Sequence, residues 1–266
     1  MRSLVCTIAL GLAGCGFSAA PAVEPPAEPD AGVVPELDAR PIARRCALSD
    51  PSLRLCIDFE DASAPAADAS GRGHQMTYAE ALSTVPRADE LAVTLSDESR
   101  LLVAEHPDLD IRAGLTTSLW MRAEDRERRM WLLDNNRQYA MSYQTNGTLR
   151  CIAGSDIVDS VTRILDDDWH HVACTFDGAS LRVYIDGSVA GCLPLSRELA
   201  IDGGEGLAIG ANVGAGPTFS ERFTGGMDNV QVLASAWNPA QLCAAAGRTG
   251  CNAACPIDTD DDEEDD

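Results

Sequence analysis

The amino-acid sequence predicts an all-β fold of two antiparallel sheets packed face to face, with one short helix near the C-terminus. Apolar and polar residues alternate with a period of two along many short segments. Turns rich in Gly, Asp and Asn separate these segments, and only one segment has the pattern of a helix. The chain has 266 residues, of which 45% are hydrophobic and 23% are charged, a balance typical of a domain that buries a core.

The predicted strands are segments in which apolar side chains occupy every second position. Because successive side chains of a strand point to opposite faces of a sheet, each strand has one buried and one exposed face. Asp177-Gly178 and Asn146-Gly147 lie between neighbouring segments, and each pair predicts a β-hairpin. The segments are residues 53–60, 115–122, 139–143, 149–153, 172–176 and 181–185.

The predicted helix covers residues 239–246. Asn238 belongs to the residue types that cap helix N-termini, and Pro239 suits the first helical position. Gly247 suits the position just after a helix ends. We therefore expect one short helix after the last strand.

The charge of the chain excludes several functions. Its net charge is −22, from 42 acidic and 20 basic residues, and every basic residue is Arg. Without Lys, a P-loop lysine, a Schiff-base lysine and a Ser-Lys dyad are excluded. Nucleic acids need cationic side chains against their phosphates, so the sequence predicts no nucleic-acid partner.

Residues 257–266 form an acidic block, with the sequence IDTDDDEEDD. Repulsion between like charges predicts a disordered tail. We interpret it as a solvating segment. A tail that collects cations or docks a partner is the alternative.

The N-terminus has the pattern of a signal peptide over residues 1–14, with a charged start and a short apolar run that ends in small residues. That run is too short to span a bilayer. Leu12-Ala13-Gly14-Cys15 resembles the lipobox of bacterial lipoproteins, in which the cysteine is lipidated and becomes the new N-terminus. We therefore predict lipidation of Cys15, and Gly16 is typical of sorting to the outer membrane. An ordinary signal peptide with an incidental cysteine is the alternative.

Residues 15–44 are rich in Pro and Ala and have no hydrophobic period. Such a composition predicts a disordered, semi-extended tether. The tether would hold a folded domain over residues 45–256 away from the membrane, so that the lipid anchor is the only membrane contact.

The remaining cysteines predict disulfides. The chain has 10 Cys, and the signal peptide and the lipidation site account for Cys6 and Cys15. An even number in an exported domain indicates disulfides, although eight cysteines allow 105 pairings. Cys151 and Cys174 both lie on apolar registers, which allows a buried bridge between them; zinc at the C-terminal cysteines is an alternative. The candidates are Cys46, Cys56, Cys151, Cys174, Cys192, Cys243, Cys251 and Cys255, and the last three would staple the C-terminal end.

A run of motifs resembles the laminin-G-like, concanavalin A-like family of jelly rolls. The strings are DWHHVA at 168–173, FDG at 176–178 and LRVYIDG at 181–187, followed by LAIG at 207–210 and FTGGMDNV at 223–230. The resemblance extends in order over nearly the whole domain. It implies a jelly-roll sandwich of two antiparallel sheets, each with about six or seven strands.

The resemblance also implies a calcium site. The segment DASGRG at 68–73 is similar to a family loop that often holds calcium, together with the aspartate of the last strand, here Asp228. First and last strands are neighbours in this fold, so Asp68 and Asp228 are expected to meet, with Glu60 as a further oxygen ligand. The alternative is that Asp228 binds the N-terminal loop without metal.

The adjacent pair His170-His171 does not predict a metal site. Neighbouring side chains of a strand point to opposite faces and cannot converge on one ion. We interpret Trp169 as a packing residue and the two histidines as hydrogen-bonding partners of loops.

The sequence contains no paired-carboxylate strand motif of the jelly-roll glucanases and no Gly-x-Ser-x-Gly elbow. We therefore expect a monomeric, non-catalytic module that recognises a glycan or a glycosylated partner. Trp120, Arg122 and Tyr184 alternate opposite the apolar positions and would share an outer sheet face, and Trp131 is a further aromatic candidate. A protein-interaction or scaffolding domain of the cell envelope is the alternative, and a glycoside hydrolase is the third.

Overall fold

A computed structural model describes residues 46–136, 138–201 and 204–256. The predicted signal peptide, the lipidation site Cys15, the tether and the acidic tail lie outside the described residues. No helix within the described ranges has the length and apolar character needed to cross a membrane.

The described chain is built mainly of strands. In chain order they are β1 (Leu53–Ile57), β2 (Met76–Glu80), β3 (Ser83–Arg87), β4 (Glu90–Leu95), β5 (Arg100–Val103), β6 (Leu115–Ala123), β7 (Met130–Asn135), β8 (Tyr139–Tyr143), β9 (Thr148–Ala153), β10 (Asp156–Arg163), β11 (His170–Phe176), β12 (Ser180–Ile185), β13 (Ser188–Pro194), β14 (Leu207–Ile209), β15 (Asn212–Gly214), β16 (Thr218–Ser220) and β17 (Gly225–Leu233). A 3₁₀ turn (Pro107–Leu109) and the helix α1 (Pro239–Ala245) complete the fold.

Two antiparallel sheets contain nearly all of these strands. Sheet A has the order β13-β12-β11-β6-β17-β4-β3, and β1 also pairs with β17. Sheet B has the order β10-β9-β8-β7-β14-β5-β2, and β15 and β16 form a separate ribbon. Strands distant in sequence, such as β6 and β17, pair at the centre of sheet A, as in a jelly roll.

The main core lies between the inner faces of the two sheets. Leu119 and Phe176 from sheet A and Tyr143 from sheet B are almost fully buried there. The alternation read in the sequence explains this, because every second side chain of each strand enters the core. The disulfide between Cys151 on β9 and Cys174 on β11 joins the two sheets within this core, as their shared apolar register allowed.

A second layer covers part of the outer face of sheet A. This outer layer consists of residues 46–52 and 234–256. Trp237 and Leu242 from this layer pack with Tyr184 of β12 into a separate apolar cluster. Disulfides Cys46–Cys56 and Cys192–Cys255 fasten the layer to β1 and β13, and Cys243–Cys251 cross-links the layer internally. The predicted staple of the C-terminal end is therefore confirmed, with pairings that the sequence had left open.

The predicted fold class is confirmed, including both hairpins and the C-terminal helix. The helix ends at Ala245, one residue before the predicted end, and Asn238 and Gln241 form a capping box at its start. The first strand is shorter than predicted. It ends at Ile57, because Phe59 has a φ of 57° that turns the chain out of the extended conformation, although its side chain stays in the core.

Candidate functional site

A cavity of about 290 Å³ lies where the outer layer meets the outer face of sheet A. Sheet A contributes Trp120 and His171, and the outer layer contributes Trp237 and Gln241. Asn229, Gln231, Ala47, Ala244 and Ala245 complete the lining. The cavity thus combines two indole rings with an imidazole and several amide side chains.

Asn229 owes its position to an irregularity in β17. The pairing of β17 with β6 shifts register between Asp228 and Gln231, and Asn229 has a φ of 50° within this bulge. Both polar atoms of its amide, Nδ2 and Oδ1, are buried without a hydrogen-bond partner among the described residues. A buried amide without partners costs about 1–3 kcal/mol for each unmade hydrogen bond, and Asn229 lines the cavity.

His171 is the second buried polar group of the cavity. Its ring is only 2% exposed and contacts the Trp120 ring edge-on at a centroid distance of 5.4 Å. Burial lowers the pKa of His171 to about 4, so the ring is neutral at pH 7. A neutral imidazole offers one donor and one acceptor, and its Nδ1 atom has no hydrogen-bond partner in the described part of the chain.

His170 has the opposite charge state. Its Nδ1 atom lies 3.0 Å from Asp186 Oδ2, and its Nε2 atom lies 2.7 Å from Asp166 Oδ1. Burial by itself lowers the pKa of His170, but the two carboxylates outweigh this effect and raise the pKa to about 9. The interpretation of both histidines as loop partners is therefore right for His170, whereas His171 packs against Trp120.

Hydrogen bonds within the outer layer, within sheet A and between the two hold the walls of the cavity. The Trp237 indole Nε1–H donates to Asp50 Oδ2 at 3.0 Å, which leaves its ring fixed beside the cavity. Gln231 donates from Nε2 to Ser118 Oγ at 2.9 Å and accepts from Ala47 N at 3.0 Å. These contacts rigidify the site, and a rigid site loses little conformational entropy when a ligand binds.

A buried charged group adjoins the cavity on the Trp120 side. The Arg87 guanidinium lies over Trp120 at 4.2 Å and over Trp169 at 5.2 Å from the ring centroids. Its Nη1 atom donates to Asp228 Oδ2 at 2.5 Å. Trp169 also covers Gly226 so closely that a Cβ at that position would meet the ring at 2.5 Å.

Asp228 is completely buried. Burial raises the pKa of its carboxyl to about 7, although the attraction of Arg87 opposes the shift. The carboxyl is thus enclosed by protein and paired with a cation, which does not leave it free to act on a substrate.

The ligand-binding candidates from the sequence fall in different places. Trp120 lines the cavity, and Arg122 lies on the same outer face, with its guanidinium 5.5 Å from the Trp169 ring. Tyr184 is on that face too, but it is fully buried beneath the outer layer. Trp131 belongs to sheet B, where it is 3% exposed and donates from Nε1 to Glu221 Oε2, so the four do not form one surface.

The calcium candidates are also separated. Asp68 accepts hydrogen bonds from Cys56 N, Ser70 N, Ser70 Oγ and His74 N. Glu60 accepts from Leu91 N, and Asp228 pairs with Arg87. Where side chains are described, these three carboxylates do not form a group at metal-ligand distance. Asp68 and Asp228 are each bound to their own neighbours, and their expected meeting at a calcium ion stays a prediction.

Four residues at or beside the cavity were not predicted from the sequence: Trp237, Asn229, Gln231 and Arg87. Trp237 and Gln241 lie in a segment that sequence periodicity does not place on the outer face. Asn229 follows the aspartate of the last-strand motif, and only the bulge brings it to the cavity. Trp237, which directly precedes the helix cap Asn238, is a sequence clue that an apolar cover exists there.

A family model of the concanavalin A-like lectin/glucanases superfamily matches residues 95–243. No curated protein sequence matches the chain.

Solved structures share the fold at low sequence identity. Domain 4 of the extracellular arabinanase AbnA from Geobacillus stearothermophilus, solved in complex with arabinotriose, is 18% identical with a TM-score of 0.58, covering 73% of this chain and 98% of its own. The binding domain of Paraclostridial Mosquitocidal Protein 1 is 15% identical with a TM-score of 0.58, and the match covers 73% of this chain and 52% of that one. The binding domain of botulinum neurotoxin DC, in complex with rat synaptotagmin II, is 13% identical with a TM-score of 0.52, and the match covers 73% of this chain and 51% of that one.

Proposed function

The chain belongs to the concanavalin A-like lectin/glucanases superfamily, and we propose that it is a non-catalytic module that binds a glycan in the cavity between sheet A and the outer layer. Function does not follow from this fold alone, because the same sandwich hosts both binding and catalysis. The proposal therefore depends on the chemistry of the cavity.

The unpartnered amide of Asn229 is the observation that carries the proposal. Sugar hydroxyls both donate and accept hydrogen bonds, so one hydroxyl pair would satisfy the amide Nδ2 and Oδ1 together. The neutral His171 ring offers a further partner. Trp120 and Trp237 supply the flat apolar surfaces against which the C–H face of a sugar ring packs.

Two features favour binding over hydrolysis. Glycoside hydrolysis needs two carboxyl groups about 5–9.5 Å apart on either side of the bond that is cut. The cavity lining contains no carboxylate among the described residues. The buried carboxyl of Asp228, the residue before Asn229, is bound by Arg87, whose guanidinium lies over two tryptophan rings.

We further propose that the domain works outside the cytoplasm, on a lipid anchor at Cys15 in the outer membrane. The four disulfides support an oxidising compartment. The anchor itself is tested by a Cys15→Ala chain, which we expect to leave the membrane fraction. Recovery of this variant in the membrane fraction would contradict lipidation.

The ligand is best sought on a glycan array that includes arabinotriose, probed with and without EDTA. We expect binding to at least one glycan. Loss of binding in EDTA that is restored by Ca²⁺ would support calcium in recognition, and unchanged binding would exclude it. No binding in either condition would contradict the glycan proposal and favour a protein partner.

The site is tested by Asn229→Gly. The substitution removes the amide and suits the positive φ of this position, so the fold is expected to stay intact. We expect at least a tenfold loss of affinity, about 1.4 kcal/mol. Asn136→Gly is the matched control, since Asn136 also has a positive φ but follows β7 on sheet B. Equal affinity of both variants would show that the cavity is not the binding site.

A further inference from the structure

His74, His106 and Asp108 come together in a group that does not line the cavity. Each offers a ligand atom, and these atoms all lie within 4.8 Å of one another. The two imidazole rings pack edge-on with their centroids 4.8 Å apart. His74 precedes β2, whereas His106 and Asp108 flank the start of the 3₁₀ turn, so the group joins two loops distant in sequence.

The tautomer of His74 leaves a buried nitrogen lone pair in this group. His74 Nε2 lies 3.0 Å from the Arg54 carbonyl oxygen. A carbonyl only accepts, so Nε2 carries the proton and Nδ1 carries the lone pair. His74 is 7% exposed, and its Nδ1 atom is buried without a hydrogen-bond partner among the described residues. Metal-binding histidines are typically fixed in this way, with the other ring nitrogen bonded to a carbonyl.

The loop that ends at His74 is fixed by Asp68. The Asp68 carboxylate accepts from the backbone N–H of Ser70 at 2.9 Å and of His74 at 3.1 Å. The residue expected to bind calcium thus organises the loop and sets the position of the His74 ring. Its oxygens are occupied by these donors.

His106 and Asp108 form the solvent-exposed side of the group. His106 is exposed, and its Nδ1 atom accepts a hydrogen bond from Asp108 N at 3.2 Å. This hydrogen bond is long, and a metal ion that takes the Nδ1 lone pair could replace it. Asp108 Oδ2 accepts from Arg72 Nη1 at 3.1 Å, with both side chains about one-third exposed. Such an exposed ion pair contributes little to stability and leaves the second carboxylate oxygen available.

We propose that His74, His106 and Asp108 bind one zinc ion, with water in the remaining position. Two imidazole nitrogens and one carboxylate oxygen match the ligands that Zn²⁺ prefers. Calcium prefers six to eight oxygens and fits this donor set poorly. The ion would fasten the loop before β2 to the 3₁₀ turn and would satisfy the buried Nδ1 atom of His74.

The four histidines of the chain allow a test with internal controls. The full chain, with its disulfides intact and stripped with EDTA, is titrated with Zn²⁺ while the histidine ring signals are followed by NMR. We expect saturation at one equivalent, with shifts confined to His74 and His106. His170 and His171 should not shift, because both lie on sheet A in other contacts. Equal shifts of all four signals, or no saturation, would overturn the proposal.

Substitutions test the ligands one at a time by calorimetry with Zn²⁺. His106→Ala removes an exposed ligand, so the fold should persist while zinc affinity falls about 100-fold or more. Asp108→Asn should weaken binding at least tenfold. Asp97→Asn is its matched control, since Asp97 is also an exposed carboxylate paired to an arginine, at 2.6 Å from Arg128. Native affinity in His106→Ala, or an equal loss in Asp97→Asn, would contradict the site.

Discussion

The interior between the sheets and the outer layer on sheet A are both buried, but different interactions hold them together. The interior is an apolar cluster crossed by the disulfide Cys151–Cys174. The outer layer carries three disulfides and encloses a cavity with polar groups of sheet A that include His171 and Asn229. The interior is therefore apolar, whereas buried polar groups lie between sheet A and its cover.

This difference assigns separate energetic roles to the two regions. Burying apolar surface stabilises the sandwich by about 25 cal/mol for each Å² removed from water. Burying an ion pair or an unpartnered amide costs free energy unless the partners are excellent. The outer face of sheet A holds such groups, and the proposed binding role of the cavity would account for the unpartnered amide.

The largest expected effect comes from separating the buried ion pair. Arg87→Met would leave the Asp228 carboxyl buried without its cation, and we expect a loss of about 3–5 kcal/mol in the free energy of unfolding at pH 8. The loss should be smaller at pH 5, because a carboxyl whose folded pKa is raised takes up a proton as the pH falls. Urea denaturation at the two pH values measures both effects.

The double variant Arg87→Met/Asp228→Asn is the control for this prediction. Asp228→Asn removes the buried negative charge and keeps the shape of the Asp228 side chain, so the double variant should recover most of the stability at pH 8. If the double variant is as unstable as Arg87→Met, lost packing against Trp120 and Trp169 is the cause, not the charge.

A smaller effect is expected from His170, whose charge is tied to folding. The folded pKa of about 9 lies above the ordinary value of 6.5, so the charged ring stabilises the fold. This contribution is fully present below pH 6.5 and is lost as the pH rises through 9. We expect His170→Gln to cost about 2 kcal/mol at pH 6, discounted because Asp166 is 57% exposed, and almost nothing at pH 10. A cost independent of pH would contradict the charge assignment.

The smallest effect is expected on the outer face of sheet B. Arg150 on β9 donates from Nε and Nη2 to both oxygens of Asp159 on β10, each at 2.7 Å. Both side chains are partly exposed, so Arg150→Ala should cost less than about 1 kcal/mol. The cost should fall further in 1 M salt, which screens exposed charges. A loss of stability as large as that of Arg87→Met would contradict the prediction that the exposed ion pair contributes less than the buried one.

The sequence was sufficient to predict the sandwich, because burial of every second side chain produces an alternation of apolar and polar residues along each strand. The register of Val172, Cys174 and Phe176 correctly predicted a strand that faces the interior. The capping signals at Asn238 and Pro239 correctly predicted the helix. These features depend on residues close in sequence, and so local patterns report them.

The site was harder to predict because it depends on contacts between distant segments. Trp120 and Trp237 lie beside one cavity only after residues 234–246 fold back over sheet A. Trp131 has the same residue type and a similar strand context, yet it lies on the other sheet. The alternation of apolar and polar residues predicts which face of a strand a side chain is on. It does not predict which distant segment of the chain covers that face.

The central claim is that the cavity under the outer layer binds the ligand. The chain has four tryptophans, and their indole N–H signals can be followed by NMR while the best glycan from the array is added. We predict that the signals of Trp120 and Trp237 shift with a common saturation curve while the signal of Trp131 stays in place. A saturable shift of Trp131 with Trp120 and Trp237 unchanged would contradict the account.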